Sequence, residues 1–79
     1  MIRILFFGPI AEQVDTRELQ LEYMHGIRLQ DVVQRMQGRY ADAFRLVSFI
    51  AVNSMQTRDM DQMLNDQDEI AFMAKYSGG

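Results

Sequence analysis

The segment that most constrains the fold runs from Leu29 to Tyr40. Leu29, Val32, Val33, Met36 and Tyr40 recur at the spacing of a single apolar stripe on a helix, while Gln30, Asp31, Gln34, Arg35 and Gln37 take the other face. Such a helix buries one side only and needs one apolar surface to lie on. Gly38, near its end, costs about 1 kcal/mol relative to alanine and marks where the helix loosens. The partner surface must come from the segments around it.

Those segments read as strands. Ile2-Arg3-Ile4-Leu5-Phe6-Phe7 is rich in β-branched and aromatic residues and predicts a central strand, apolar on both faces. Gly8-Pro9 ends it, because proline cannot donate to a ladder. Ile10 to Val14 fits one helical turn with Ile10 and Val14 on one side. From Thr16 to Tyr23 polar and apolar residues alternate, with Leu19, Leu21 and Tyr23 facing one way, the period of a half-buried strand. It is expected to pair with the first strand as a hairpin. Leu46 to Asn53 is a third strand, closed by an asparagine that tolerates a left-handed turn. Ser54 to Asp68 is polar and irregular. Glu69 to Tyr76 is the last strand, and Phe6 and Phe72 are assigned to the core. The order β-β-α-β-loop-β predicts an α+β fold of the β-grasp type. It has a mixed sheet of four to five strands with the helix across one face and the last strand beside the first.

At 79 residues there is room for one domain, with residues 1–76 as its body and 77–79 as a flexible tail. A chain this short buries roughly 60% of the surface its unfolded form exposes, which leaves little space for an enclosed active site. Function is therefore sought on the surface or at a terminus. The absence of cysteine excludes a disulfide scaffold, a thiolate zinc site, an iron–sulfur cluster and a cysteine nucleophile. The apolar start is too short for a signal peptide, and no segment has the length of a membrane span, so a cytoplasmic location without membrane contact is expected. A net charge of −3 disfavours nucleic acid and favours a protein partner with a basic face.

Several motifs dissolve on inspection. Asp59-Met60-Asp61 suggests a calcium loop, but the sixth position from Asp59 is Leu64 and the twelfth is Ile70, where such a loop needs glycine and glutamate. No metal site is predicted. His25 precedes Gly26 in a turn, with no ligand or nucleophile beside it in sequence. No glycine-rich phosphate loop is present, so no bound cofactor is expected. What remains is Gly78-Gly79. Two glycines after a strand bury no side chain and carry the largest backbone entropy cost. A frayed end is the ordinary reading. The functional one is a tail without Cβ atoms that threads a narrow channel. Fully extended, Ser77 to Gly79 span about 10 Å.

With these features together the chain resembles the small subunit of molybdopterin synthase, in the sulfur-carrier family that also holds the thiamine-pathway carrier. The resemblance covers essentially the whole length. It rests on Ile4-Leu5-Phe6-Phe7, Ala51-Val52-Asn53, Leu64, Asp68-Glu69-Ile70-Ala71-Phe72 and Gly78-Gly79. It implies a ubiquitin-like fold and a non-catalytic carrier. A ubiquitin-activating-enzyme-like adenylyltransferase spends ATP on the carboxylate of Gly79, since AMP is a better leaving group than hydroxide. Sulfur transfer makes a thiocarboxylate, and the large synthase subunit passes that sulfur to a pyranopterin precursor. Gly78 and Gly79 are then the reacting tail. Phe7, Met73, Met55, Lys75, Tyr76 and Ser77 are the residues implied to meet partners. Methionine suits a surface that binds two partners in turn. The alternatives are a carrier for thiamine synthesis and a modifier joined to lysines through Gly79.

The chain departs from that pattern in three places. Met73-Ala74-Lys75 stands where the family often has Phe-Pro-Pro, which predicts a less stiff approach to the tail. Gln67 replaces a turn glycine, so a different turn geometry is expected. Ala11 stands at a family arginine.

Overall fold

The computed structural model describes residues 1–75; Tyr76, Ser77, Gly78 and Gly79, with the end of the expected last strand and the whole tail, lie outside the described residues. The elements are β1 (Ile2–Phe6), α1 (Gly8–Val14), β2 (Glu18–Leu21), α2 (Leu29–Arg39), α3 (Ala41–Phe44), β3 (Val47–Val52), β4 (Met55–Thr57) and β5 (Glu69–Ala74). They form one five-stranded sheet in the order β2-β1-β5-β3-β4. β1 runs parallel to β5, and the other neighbours are antiparallel. This is the mixed β-grasp sheet that the sequence predicts.

The central strand is β5, not β1. β1 is also not apolar on both faces. Ile2, Ile4 and Phe6 are buried, while Arg3 is exposed and Leu5 half-buried. Only one face of this sheet is covered, so the strand alternates after all. The covered face carries Ile2, Ile4, Phe6, Ile50, Val52, Ile70, Phe72 and Ala74, against Ile10, Val14, Leu29, Val32 and Met36 from the helices. Phe72 lies at the heart of this core. Its ring is 6.0 Å from that of Phe6 and 4.9 Å from that of Phe44.

Local chemistry explains the boundaries. Gly8 takes φ 54°, a left-handed turn that swings the chain from β1 into α1, and Pro9 sits in the first helical turn, where its missing N–H costs nothing. α2 begins where the Arg28 N–H donates to Asp31 Oδ2 at 2.9 Å. This places a carboxylate at the positive end of the helix. α3 is not visible in the periodicity, because four residues are too few to show one. Its Phe44 nevertheless seals the end of the core beside Phe72.

The stretch from Ser54 to Asp68 is less irregular than its composition suggests. Asn53 and Ser54 both have positive φ, 51° and 70°, which is the geometry of a tight two-residue hairpin. The chain therefore reverses at once into β4, with Val52 opposite Met55. Gln67 corrects a second expectation. It adopts φ 75°, the left-handed region that favours glycine, so the turn keeps a glycine-like backbone with a side chain forced onto it.

Candidate functional site

The uncovered sheet face carries the features that bear on function. β1 and β5 run side by side in register, with Leu5 beside Ala71 and Phe6 beside Phe72. The backbone of Phe7 is still extended, at φ −123° and ψ 153°, and its N–H donates to the Phe72 carbonyl at 3.3 Å. The pleat therefore turns Phe7 to the face opposite Phe6, next to Met73. On the other side of β5, Phe49 is the direct partner of Met73. Phe7, Met73 and Phe49 thus form an apolar row across three strands. Phe7 is 44% exposed and Phe49 37%, with Met73 half-buried between them.

Phe49 reaches this row through an irregularity. Val47 pairs with Ala74 and Phe49 with Met73, so Ser48 is an extra residue in β3. Strict alternation would put Val47 and Phe49 on the same face. The bulge at Ser48 lets Val47 point to the core and Phe49 point away from it. Sequence reading missed Phe49 for this reason, because Val47-Ser48-Phe49 reads as plain alternation with both apolar residues on one face.

Below the row, Leu5, Ala71 and Ala51 form a flat second row. Below that, Arg3 bridges Glu69 at 3.0 Å and Glu18 at 3.4 Å. The face therefore grades from charged at the start of β1 and β5 to bulky and apolar at their far end. That far end is where the chain continues through the exposed Lys75 toward Gly79. A groove of about 610 Å³ borders the row, and Phe7, Ala11, Glu12, Asp15, Arg17 and Glu18 are among the residues that line it.

The expected partner residues separate into three groups. Phe7 and Met73 are together, as expected, and Lys75 follows at the same end. Met55 is elsewhere. It pairs with Val52, whose side chain faces the core, so it belongs to the helix side of the sheet, at the β4 edge. It is 74% exposed there. It cannot form one surface with Met73. Tyr76, Ser77, Gly78 and Gly79 lie outside the described residues. Among the described residues no group of acidic, histidine or cysteine side chains is arranged to hold a metal ion, and no helix is long and apolar enough to cross a membrane.

A one-faced β-grasp domain with an apolar row at the root of a Gly-Gly tail is the architecture of a ubiquitin-fold sulfur carrier. Comparison with known families agrees. Residues 4–79 match the ThiS family, and the chain belongs to it. Solved structures share the fold. A protein described as molybdopterin converting factor, subunit 1, from Pyrococcus furiosus is 19% identical, with a TM-score of 0.80 over 92% of this chain and 94% of that one. SAMP1 from Haloferax volcanii is 17% identical, with a TM-score of 0.80 over 99% and 98%. Urm1 from Trypanosoma brucei is 25% identical, with a TM-score of 0.76 over 99% and 94%. A separate comparison with curated proteins found no match.

Proposed function

We propose that this carrier delivers sulfur as a thiocarboxylate on Gly79 to a pyranopterin precursor, acting as the small subunit of a molybdopterin synthase. The observation that carries the reading is the Phe7–Met73–Phe49 row at the end of β5 from which the tail departs. A partner that grips the row holds the tail root in a fixed place, so the last residues need to order only themselves on entering a channel. Two partners use the row in turn. The first is an adenylyltransferase of the ubiquitin-activating type, which joins the Gly79 carboxylate to AMP and releases pyrophosphate. The second is the large synthase subunit, which receives the thiocarboxylate. The likeness to the Pyrococcus protein, at 19% identity, speaks for the fold alone.

The test is intact mass. Protein incubated with the activating partner, ATP and a sulfur donor is expected to show one oxygen replaced by sulfur, located to Gly79 by fragmentation. Unchanged mass, with the partner shown to be active on another carrier, overturns the proposal. A second reading, attachment of Gly79 to lysines of other proteins, uses the same activated carboxyl. One structural neighbour, 15% identical, is described as a small archaeal modifier protein. Higher-mass conjugates in lysate that vanish when Gly79 is deleted would favour it.

A further inference from the structure

The groove beside the apolar row lies on the uncovered face of the sheet. Leu5 and Phe7 line it, two positions apart in extended chain and so on one face, and Glu18 lines it as the partner of Leu5 on β2. Ala11, half-buried, lines it from α1. The groove is therefore continuous with the Phe7–Met73–Phe49 row through Phe7. It also has a sign. Three acidic residues, Glu12, Asp15 and Glu18, line it against one basic residue, Arg17. Glu18 meets Arg3, but Arg3 is shared with Glu69. Glu12 and Asp15 are exposed, and among the described residues neither forms an ion pair. The last turn of α1 holds no basic residue, so the partial negative charge of that helix end adds to theirs. A second groove, of about 620 Å³ at the turn before α2, has Asp31 balanced by Arg35 and shows no such excess.

We infer that this groove receives a basic side chain, arginine or lysine, from the adenylyltransferase that covers the row. Such a side chain is apolar along its stem and charged at its head. The stem lies against Leu5, Phe7 and Ala11, and the head is directed to Glu12 and Asp15. The ring of Phe7 adds a face on which a cation is attracted. The docking surface thus has two parts, an apolar row that holds and an acidic groove that steers. A charge at the edge of an interface speeds encounter more than it lengthens residence. That suits the adenylyltransferase, which meets the carrier only in passing, whereas the synthase keeps it as a subunit. The inference rests on the reading that an adenylyltransferase grips the row and activates Gly79.

The experiment measures association and dissociation rates of the full chain with the adenylyltransferase at low and high salt. Glu12→Gln and Asp15→Asn combined are expected to slow association at least about tenfold at low salt, with the gap closing as salt is added. Both positions are exposed, and asparagine tolerates the left-handed backbone that Asp15 adopts at φ 66°. Glu22→Gln also removes one negative charge, but just beyond the end of β2 that lies opposite Ile2. It should change the rate by less than about twofold. Ala11→Gln places an uncharged side chain in the groove and is expected to weaken binding at least about tenfold if the groove is entered. Circular dichroism checks its fold, and the charge variants carry the test if that fold is lost. Unchanged association of the double variant, an equal effect of Glu22→Gln, or unchanged affinity of a folded Ala11→Gln each overturns the inference. A parallel arm tests the reading beneath it: parent chain, enzyme, ATP and hydroxylamine should give a Gly79 hydroxamate. If the hydroxamate forms and the charge variants associate normally, the groove inference falls and the activation stands. If no hydroxamate forms, the proposed activation falls and takes the inference with it.

Discussion

Asn53 and Asp68, fifteen positions apart in the chain, meet across the bottom of the sheet: Asn53 Nδ2 donates to Asp68 Oδ1 at 2.9 Å. The contact belongs to a closed set. Asp68 Oδ2 accepts the N–H of Asn65 at 2.7 Å, Asn53 Oδ1 accepts the N–H of Glu69 at 2.9 Å, and the Asn53 N–H donates to the Glu69 carbonyl at 2.8 Å. Asp68 is buried, so each of its oxygens needs the partner it has. The set ties the β3–β4 hairpin to the start of β5. Asn53→Ala leaves Asp68 short of a donor and is expected to cost about 1–3 kcal/mol. In a domain of this size each kcal/mol lowers the melting temperature by about 4–8 °C, which calorimetry would show. The variant should still accept sulfur on Gly79 below its melting point, because the set lies at the end of β5 away from the tail.

Gln67 offers a change in the other direction. A non-glycine residue in the left-handed region costs roughly 1–2 kcal/mol, and glycine removes that cost while adding about 0.5–1 kcal/mol of chain entropy. Gln67→Gly is therefore expected to stabilise by up to about 1.5 kcal/mol, seen as a higher urea midpoint with an unchanged slope. A lower midpoint would show that the side chain contributes more than its conformation suggests.

The apolar row and the β4 edge should behave differently when charged. Met73→Glu puts a carboxylate in the middle of the row. It is expected to weaken docking to the adenylyltransferase by at least about tenfold, on the order of 1.4 kcal/mol. Phe49→Asp should do the same from β3. Met55→Glu, on the other side of the sheet, should leave affinity unchanged by isothermal calorimetry. Equal losses at Met55 and Met73 would refute the division of faces.

Asp66 supplies a prediction in pH. Its carboxyl lies below the ordinary value of 3.8, chiefly because it accepts a hydrogen bond from the Met1 ammonium. A carboxyl with a lowered folded pKa holds fewer protons than in the unfolded chain. It therefore stabilises the fold above the ordinary value, and this contribution disappears as pH falls through the lowered one. Because Asp66 is fully exposed, water screens the effect. Acetylating the amino terminus should raise the Asp66 titration midpoint toward 3.8, followed by carboxyl NMR.

Much of this was legible from residue order. The stripe Leu29, Val32, Met36 and the alternation Leu19, Leu21 each report one buried face, and the structure buries or half-buries all five. The fold class followed from placing one striped helix among four apolar strands. Three things stayed hidden for physical reasons. Met55-Gln56-Thr57 is too short to show a period, and only the two left-handed residues before it create the pairing. Phe49 depends on one extra residue in β3, which no alternation rule anticipates. The central place of β5 is a matter of which strands become neighbours, set by packing around Phe72 rather than by any local signal.

The parallel pairing of β1 and β5 has a mechanical meaning. β5 is held along one edge by β1 and along the other by β3. A pull on residue 75 along the strand axis loads both ladders in shear, so their hydrogen bonds share the tension instead of opening one after another. Force applied to the tail is passed through Phe72 into the aromatic cluster at the centre of the core. A partner that drew the last residues into a channel, as proposed above, would pull on the one strand that has a neighbour on each edge and lies at the centre of the sheet.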